Sequence, residues 1–433
     1  MTENALAAVA VSLLHGAVTA GPASLRLLFA TRIVRMFAYG TLGVVLVLYL
    51  AEVGLEAARI GLLLTLTFLG DAVISLGLST RADRWGRRRT LVAGAALMTL
   101  GGLAMAATGD FTLLVVAATI GVISPTGNEV GPFLAVEQAC VAQLIDDRER
   151  TRIFAWYNVA GFAATACGAL AGGALAEGLQ HAGWSALASY RLLFVGYGVW
   201  GVVIGVISAR LGAAVEAPPR AGAGAAGPVA ALLGLHESRG IVLRLSALFS
   251  LDAFAGGFIV QSFLVYWFHR KFGAGEAVLG GVFFGANLLS GLSALVAVPL
   301  ARRIGLVNTM VWTHLPSNVL LMLVPLMPSF GWAVGMLLGR HAISQMDVPT
   351  RQSYVNAVVP AAERAAANGV TATARQLGVS LAPLGAGPLL GAAALASVPF
   401  FICGGLKIVY DLSLWRAFRA VKPPEESAGG RRG

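Results

Sequence analysis

Charged and hydroxyl side chains interrupt several long apolar stretches of this chain, and they recur at the spacing of one face of a helix. Three such stripes are present: Arg32, Arg35 and Tyr39; Arg340, Ser344, Asp347 and Arg351; and Asn368, Thr371 and Arg375. The planar guanidinium group of arginine suits carboxylate and phosphate groups. The stripes therefore predict either a binding site for a small organic anion or arginines that pair with acidic residues inside the protein.

Acidic residues in the same apolar stretches provide a second kind of chemistry. A carboxylate that is partly removed from water binds a proton more readily. Proton carriers are therefore expected among Asp71, Glu129, Glu137 and Asp347. The alternative is a structural ion pair, for example between Glu137 and Arg35, Arg351 or the arginines at 81–89. Embedded acids and bases are equal in number, so the count leaves both interpretations open.

The elements that carry these residues are predicted to be membrane-spanning helices. Of the 433 residues, 57% are hydrophobic and 12% are charged, whereas soluble proteins carry about 25% charged residues. Each span needs roughly 20 apolar residues. The predicted spans are about 24–50, 59–79, 90–108, 112–145, 152–177, 191–211, 243–267, 277–300, 306–327, 332–358, 366–391 and 394–416. The predicted fold class is all-α integral membrane, with twelve transmembrane helices in two pseudo-repeated six-helix bundles.

One longer break divides the chain. Residues 213–238 are rich in Ala, Pro and Gly, as in a flexible linker or a short surface helix. The predicted domains are an N-terminal six-helix bundle in 1–212, a cytoplasmic linker in 213–238, and a C-terminal six-helix bundle with a short cytoplasmic tail in 239–433. Three short segments match between the halves: Glu137-Gln138 with Arg351-Gln352, Glu149-Arg150 with Glu363-Arg364, and Arg84-Trp85-Gly86 with Arg303-Ile304-Gly305. A transporter with such repeats has its site between the halves.

Basic residues predict the orientation. Most arginines fall in loops on one side of the predicted membrane, and the other side holds only Arg59, Arg191, Arg270 and Lys271. Cytoplasmic loops collect basic residues. Both termini are therefore expected in the cytoplasm, in a multi-pass protein of the cell inner (plasma) membrane. Because the arginines are dispersed between apolar stretches, we expect the lipid bilayer as the partner and no nucleic acid.

The fourth predicted span is too long for one straight helix. Residues 112–145 would extend about 50 Å, against a hydrocarbon core of about 30 Å. The stretch contains SPTGNEVGP at 124–132, whose prolines and glycines break a helix. A broken helix within a membrane is tolerated where it lines a cavity. Asn128 and Glu129 are therefore predicted cavity residues; the alternative is that this segment forms an outer turn.

Residues 79–89, STRADRWGRRR, lie between the second and third spans. They resemble the signature loop of the major facilitator superfamily, a Gly-x-x-x-Asp-Arg-x-Gly-Arg-Arg pattern. The matching residues are Asp83, Arg84, Gly86, Arg87 and Arg88, and Ser79 replaces the first glycine. The resemblance implies that this loop acts as a gate that latches the two halves in the outward-open state. The alternative is a basic turn that only sets orientation.

The resemblance also implies that spans one, four, seven and ten line a central cavity. Polar residues occur on all four of these spans. With Arg375 on span eleven, the predicted substrate cavity consists of Arg32, Arg35, Tyr39, Asn128, Glu129, Asp252, Arg340, Asp347 and Arg375.

The leading functional hypothesis is secondary active transport of small molecules by alternating access. Proton-coupled efflux, as in drug/proton antiporters, is favoured by the signature loop and by a glycine-rich fifth span that includes Gly168 and Gly172. Transport of a small organic anion through an arginine-lined cavity is the alternative, and a non-transporting membrane sensor is the second alternative. The sequence shows no nucleotide-binding loop, no metal-ligand spacing and no catalytic constellation. We therefore expect no enzyme activity, no cofactor and no metal, and a monomer whose partners are a small-molecule substrate and protons.

Overall fold

The structure is a computed structural model that describes residues 23–127, 131–217, 234–360 and 363–421. All regular structure in these ranges is helical. The amino-terminal half contains α1 (Ala23–Glu52), α2 (Ala57–Trp85), α3 (Arg87–Ala107), α4 (Phe111–Ile120), α5 (Phe133–Leu144), α6 (Asp147–His181) and α7 (Ala186–Ala209). The carboxy-terminal half contains α8 (Arg239–Gly257), α9 (Gln261–Phe272), α10 (Glu276–Ile304), α11 (Leu306–Leu323), α12 (Phe330–Ser344), α13 (Asp347–Val358), α14 (Arg364–Gly391) and α15 (Val398–Phe418).

Helix length and composition are those of a membrane protein. Nine helical segments within the described ranges are long and apolar enough to cross a bilayer. Three predicted spans are each divided into two helices, namely α4 with α5, α8 with α9, and α12 with α13. Joining each pair gives twelve segments, six on either side of the predicted linker. The all-α membrane fold is confirmed, whereas the number of twelve crossings stays a prediction.

The fourth span breaks where its sequence predicts. Helix α4 has 10 residues, which rise about 15 Å, or half of a hydrocarbon core of about 30 Å. The break therefore lies near the middle of the membrane. Gly127 and Gly131 adopt φ angles of 68° and 84° there, a region that favours glycine. Asn128 and Glu129 lie outside the described residues, so their assignment to the cavity stays a prediction.

The breaks in spans seven and ten correct the prediction of continuous helices at 243–267 and 332–358. Helix α8 ends at Gly257 and α9 begins at Gln261, while α13 begins at Asp347 just after α12 ends at Ser344. Pro349 lies in the first turn of α13, where its missing N–H has no intrahelical partner to lose. Sequence periodicity alone does not reveal these breaks, because packing partners must satisfy the freed backbone groups.

The turns that follow the second span of each half have similar conformations. Gly86 separates α2 from α3 with φ 108°, and Gly305 separates α10 from α11 with φ 89°. Both angles lie in the region that residues with a Cβ atom rarely adopt. The sequence match between 84–86 and 303–305 therefore corresponds to two turns of the same geometry, as expected for a duplicated half.

The two halves meet closely at the end opposite the signature loop. A Cβ atom added at Gly173 on α6 would lie 2.1 Å from the carbonyl oxygen of Glu276 on α10, and one at Gly61 on α2 would lie 2.3 Å from that of Pro383 on α14. Small residues allow such close helix approach within a membrane. In addition, the Ser262 hydroxyl on α9 donates to the Pro125 carbonyl oxygen at 2.7 Å, so the breaks in spans four and seven contact each other.

A carboxylate holds the start of α8 against the loop between spans ten and eleven. Glu363 accepts hydrogen bonds from the backbone N–H groups of His236, Glu237 and Ser238 at 3.2, 3.0 and 3.1 Å, and from the Ser238 hydroxyl. The hydroxyl first, and then the backbone donors, lower the pKa of Glu363 to about 2. This contact fixes the point at which the chain enters the carboxy-terminal half.

The contact between the halves at Gly173 and Gly61, at the end opposite the signature loop, is called the seal below. We expect Gly173→Val to weaken this seal, because the added side chain would occupy the space of the α10 backbone. Gly178→Val on the same helix is the control, since nothing lies within 4 Å of a Cβ atom at Gly178. The test uses a chain in which the natural cysteines are replaced and a cysteine is placed at Gln261. The measurement is labelling of this cysteine by an impermeant maleimide that is added on the side of the membrane opposite the signature loop. Labelling should rise in Gly173→Val only, and equal labelling in both variants would contradict the assignment of this contact as the seal.

Candidate functional site

A polar cavity lies mainly within the carboxy-terminal half, beside the seal between the halves. Its volume is about 340 Å³. Thr126 in the break of span four and Phe162 on α6 contribute from the amino-terminal half, and the remaining lining comes from α8 to α15. The charged lining residues are Asp252, Arg340, Asp347, Arg351, Arg375 and Lys407.

Asp252 on α8 is the centre of the ionic network. Its carboxylate accepts from Lys407 Nζ on α15 at 2.5 Å and from Arg375 on α14 at 2.9 Å, and Arg351 on α13 lies 3.7 Å away. Asp252, Arg351 and Lys407 are buried. Three cations therefore share one buried carboxylate, which joins four helices of the carboxy-terminal half.

Asp347 at the start of α13 compensates part of this positive charge. Its carboxylate lies 2.6 Å from the guanidinium of Arg351, one helical turn further along. Because Arg351 also faces Asp252, the two carboxylates and this arginine form one connected group. The break before Asp347 places this group at the cavity rather than along a continuous helix.

Arg340 on α12 has no carboxylate partner within salt-bridge distance among the described residues. Its terminal nitrogen lies 3.5 Å from His341 Nε2, and its Nε is buried without a hydrogen-bond partner. His341 Nδ1 in turn lies 2.9 Å from the Ser290 hydroxyl. Apart from its histidines, the lining contains four cations and two carboxylates, a formal charge of +2. Outside the lining, Asp411 lies 2.9 Å from His314.

A second charged cluster lies within the amino-terminal half. Arg35 on α1 donates to both oxygens of Glu137 on α5, at 2.6 and 2.7 Å, and both side chains are 0% exposed. The Thr31 hydroxyl donates to Glu137 at 2.9 Å, and the Tyr157 hydroxyl donates to its other oxygen. The carboxylate is fully satisfied, so this cluster has the geometry of a structural pair.

Residues predicted on span one are placed with this cluster. The Arg32 guanidinium lies 4.2 Å from the centre of the Tyr157 ring and 3.3 Å from the Asn158 side-chain oxygen. Tyr39 is buried, with its ring centre 6.3 Å from that of Tyr197. Of the predicted cavity residues, Asp252, Arg340, Asp347 and Arg375 line the cavity, and the span-one residues Arg32, Arg35 and Tyr39 are not part of its lining.

Asp71 on α2 is buried and lies between the halves. It accepts a hydrogen bond from the Ser75 hydroxyl at 3.2 Å and contacts the Gln376 amide on α14 at 3.5 Å. No cation within the described residues lies within salt-bridge distance of its carboxylate. Among the predicted proton carriers, Glu137 and Asp347 have cationic partners, and Glu129 lies outside the described residues.

The signature loop is packed against the end of the amino-terminal half. Asp83 lies 2.8 Å from Arg87, and its side chain is 51% exposed. Arg87 also donates to Gln143 at 2.8 Å, and Glu216 accepts from the backbone N–H groups of Arg87 and Arg88 at 2.7 and 3.3 Å. Arg84 is exposed. Glu216 thereby joins the start of the 213–238 segment to this loop.

Lys407 lines the cavity, although it is not among the cavity residues that the sequence predicts. It lies on α15, in the last predicted span, outside the four spans that the resemblance implies as the cavity lining. One signal was available, because the chain has only three lysines and Lys407 alone lies in the middle of an apolar stretch. Arg351 was recognised as part of a stripe, but its contact with Asp252 depends on the break before α13.

Two sequence similarities, each extending over most of the chain, define the class of this protein. The sequence profile described as Major Facilitator Superfamily matches residues 28–383. Over 423 residues, the chain is 30% identical to "Uncharacterized membrane protein YJR124C" of Saccharomyces cerevisiae, with 92% of this chain and 94% of that protein covered.

Solved structures share the fold. A bacterial homologue of the human lysosomal transporter Spinster, in an inward-facing and unoccupied conformation, has a TM-score of 0.65 at 15% identity over 91% of this chain and 94% of that chain. A D-xylose-proton symporter has a TM-score of 0.68 at 14% identity over 90% of this chain and 97% of that chain. At these identities the likeness is one of fold alone.

The chain is a multi-pass membrane transporter, and it belongs to the Major Facilitator Superfamily. It moves small molecules by alternating access, and the family resemblance of its signature loop is confirmed. The family and its structural neighbours indicate a transporter rather than an enzyme.

We expect Glu137→Gln to destabilise the amino-terminal half by about 3–5 kcal/mol, because it removes the carboxylate charge that the buried Arg35 guanidinium binds through two hydrogen bonds. Glu149→Gln is the matched control, because its partner Arg152 is 66% exposed and such surface pairs contribute about 0–1 kcal/mol. The measurement is the midpoint of thermal unfolding in detergent. A double variant, Arg35→Met with Glu137→Leu, should recover most of the loss. Equal midpoints for Glu137→Gln and the native chain would contradict a structural role for the pair.

Proposed function

We propose that this transporter moves a small organic anion through the cavity beside Asp252. The observation that carries the proposal is the excess of positive charge in the cavity lining, concentrated at Arg340, which has no carboxylate partner within the described residues. An ionised group within a membrane costs about 2.5–3.5 kcal/mol even on lenient scales. An anionic substrate would lower that cost.

The chemistry of the lining supports the same proposal. Arginine binds carboxylate or phosphate through two parallel hydrogen bonds, and Arg340 and Arg375 supply two such groups from α12 and α14. Ser290, His341 and Gln376 add neutral hydrogen-bonding groups. The volume of about 340 Å³ lies at the small end of the range of about 300–1,000 Å³ found for ligand sites. A compact anion therefore fits better than a large amphipathic drug.

Asp252 supplies a means of coupling substrate binding to helix movement. An anion that binds Arg375 and Lys407 competes with Asp252 for the same donors. Its binding would loosen the contacts that α8 makes with α14 and α15. A ligand shifts a conformational equilibrium only by such differences in contacts.

The position of the seal supports a proposal for the conformational state in the alternating-access cycle. The halves are in close contact at the end opposite the signature loop, and half of the Asp83 side chain is exposed. With the termini in the cytoplasm, as the arginine distribution predicts, this is a state closed at the outer end. The proposed latch through Asp83 would form in the opposite state. We also propose a monomer in the plasma membrane.

Proton-coupled efflux is the second candidate, and Asp71 is the observation that favours it. Asp71 is a buried carboxylate without a cationic partner in the described residues, and such carboxylates form proton relays in transporters. Its contact with Gln376 crosses from one half to the other, so protonation would change an interaction that alternating access must break. Proton coupling is compatible with an anionic substrate, and the direction of transport is a separate proposal.

We expect Arg340→Gln to weaken anion binding by about 10- to 100-fold, because a hydrogen bond to a charged group contributes about 1.5–3 kcal/mol. Arg244→Gln is the matched control, since Arg244 is on α8, exposed and not part of the cavity lining. The measurement is titration calorimetry of the purified chain with a panel of small carboxylates and phosphate monoesters. Arg340→Lys should retain part of the affinity. If Arg340→Gln and Arg244→Gln bind these anions equally well, the anion site is wrong.

A further inference from the structure

A second cavity lies at the end of the carboxy-terminal half that carries the 302–305 turn, and it shares no lining residue with the transport cavity. Its volume is about 970 Å³, and the ends of α10, α11, α13, α14 and α15 surround it. We infer that this cavity binds the phosphate headgroup of an anionic phospholipid. The inference does not depend on which substrate the protein transports.

The charge of this second cavity is one-sided. Four arginines line it, namely Arg302, Arg303, Arg364 and Arg419, and no carboxylate belongs to the part of its lining that the structure describes. Within the described residues, none of these guanidinium groups forms an ion pair. At the signature loop Arg87 pairs with Asp83, whereas none of the four arginines of this cavity pairs with a described carboxylate. The described part of the lining is therefore a cluster of cations that would attract an anion.

Backbone geometry adds to the positive potential. Helix α11 begins at Leu306, immediately after Gly305, and both residues line the cavity. The partial positive charge of the helix amino terminus adds to the charge of the four arginines. Asn308 and Ser353 line the same space and supply neutral hydrogen-bonding groups. This donor set suits the oxygens of a phosphate better than a planar carboxylate alone.

The walls of the cavity indicate that the phosphate belongs to a lipid. Val298 and Ile304 line it and are 51% and 39% exposed. Both lie at the end of α10, where a membrane helix reaches the headgroup layer. Acyl chains would cover this apolar surface, whereas free phosphate would leave it in contact with water. Basic pockets between membrane helices bind anionic headgroups in this way.

The test is retention of lipid by the purified full-length chain, measured by native mass spectrometry with phosphatidylglycerol and phosphatidylcholine of the same acyl chains. We expect selective retention of phosphatidylglycerol. The test variant carries two substitutions, Arg303→Gln and Arg364→Gln. Each of them should lower the retention of phosphatidylglycerol about fivefold, which corresponds to a loss of about 1 kcal/mol per arginine. The double variant Arg81→Gln with Arg89→Gln is the matched control. It removes the same amount of charge from two exposed arginines at the signature loop.

Three outcomes would overturn the inference. The first is equal retention of the two lipids by the native chain. The second is an equal loss in the test and control variants, which would indicate general attraction to the charged surface. The third is displacement of phosphatidylglycerol by millimolar inorganic phosphate, which would indicate a site for free phosphate. If the double variant does not fold, Arg419→Gln is the substitute. It should reduce retention because Arg419 lines the cavity. It should still fold, because the guanidinium lies over Trp415 at 4.3 Å and forms no ion pair in the described structure.

Discussion

The free-energy cost of an ionised side chain within the bilayer is the constraint on which this structure depends. In the amino-terminal half, Arg35 and Glu137 meet it by binding each other through two hydrogen bonds, with both side chains 0% exposed. Asp71 in the same half has no cationic partner in the described residues. In the carboxy-terminal half, three cations share Asp252, and Arg340 lacks a carboxylate partner in the described residues. The excess positive charge is therefore concentrated at the cavity.

This asymmetry gives the two halves different physical roles. A fully paired cluster resists rearrangement, because separating a buried ion pair is costly, so the amino-terminal cluster acts as a rigid support. The network around Asp252 has exchangeable partners, and it joins helices that adjoin the breaks in spans seven and ten. Those breaks, together with the one in span four, place irregular backbone beside the cavity and at the seal near Ser262. An anion that enters this network can thus alter contacts next to the surface on which the halves separate.

The sequence predicts the membrane class, the two halves and the family, because hydropathy, arginine distribution and the signature loop are local properties of the chain. It also predicts several charged residues of the cavity, since an ionisable residue in a span must pair or function. The sequence only narrows the choice of ion-pair partners. It leaves Arg35, Arg351 and the arginines of the signature loop open for Glu137, and the choice depends on the packing of α1 against α5, whose paired residues lie about a hundred positions apart in the chain. Arg35 lies in this buried pair and is not part of the cavity lining. Lys407 was missed because its contact with Asp252 joins the first and last helices of the carboxy-terminal half.

A cavity with excess positive charge should select for negatively charged ligands. Thermal unfolding of the purified native chain can measure this selectivity with ligands that share a skeleton and differ in charge, such as benzoate, benzamide and benzylamine, and phenyl phosphate against phenol. We expect only the anions to raise the unfolding temperature, and we expect the rise to fall with increasing salt because the attraction is electrostatic. Equal stabilisation by benzamide, or greater stabilisation by benzylamine, would show that the cavity does not select for negative charge.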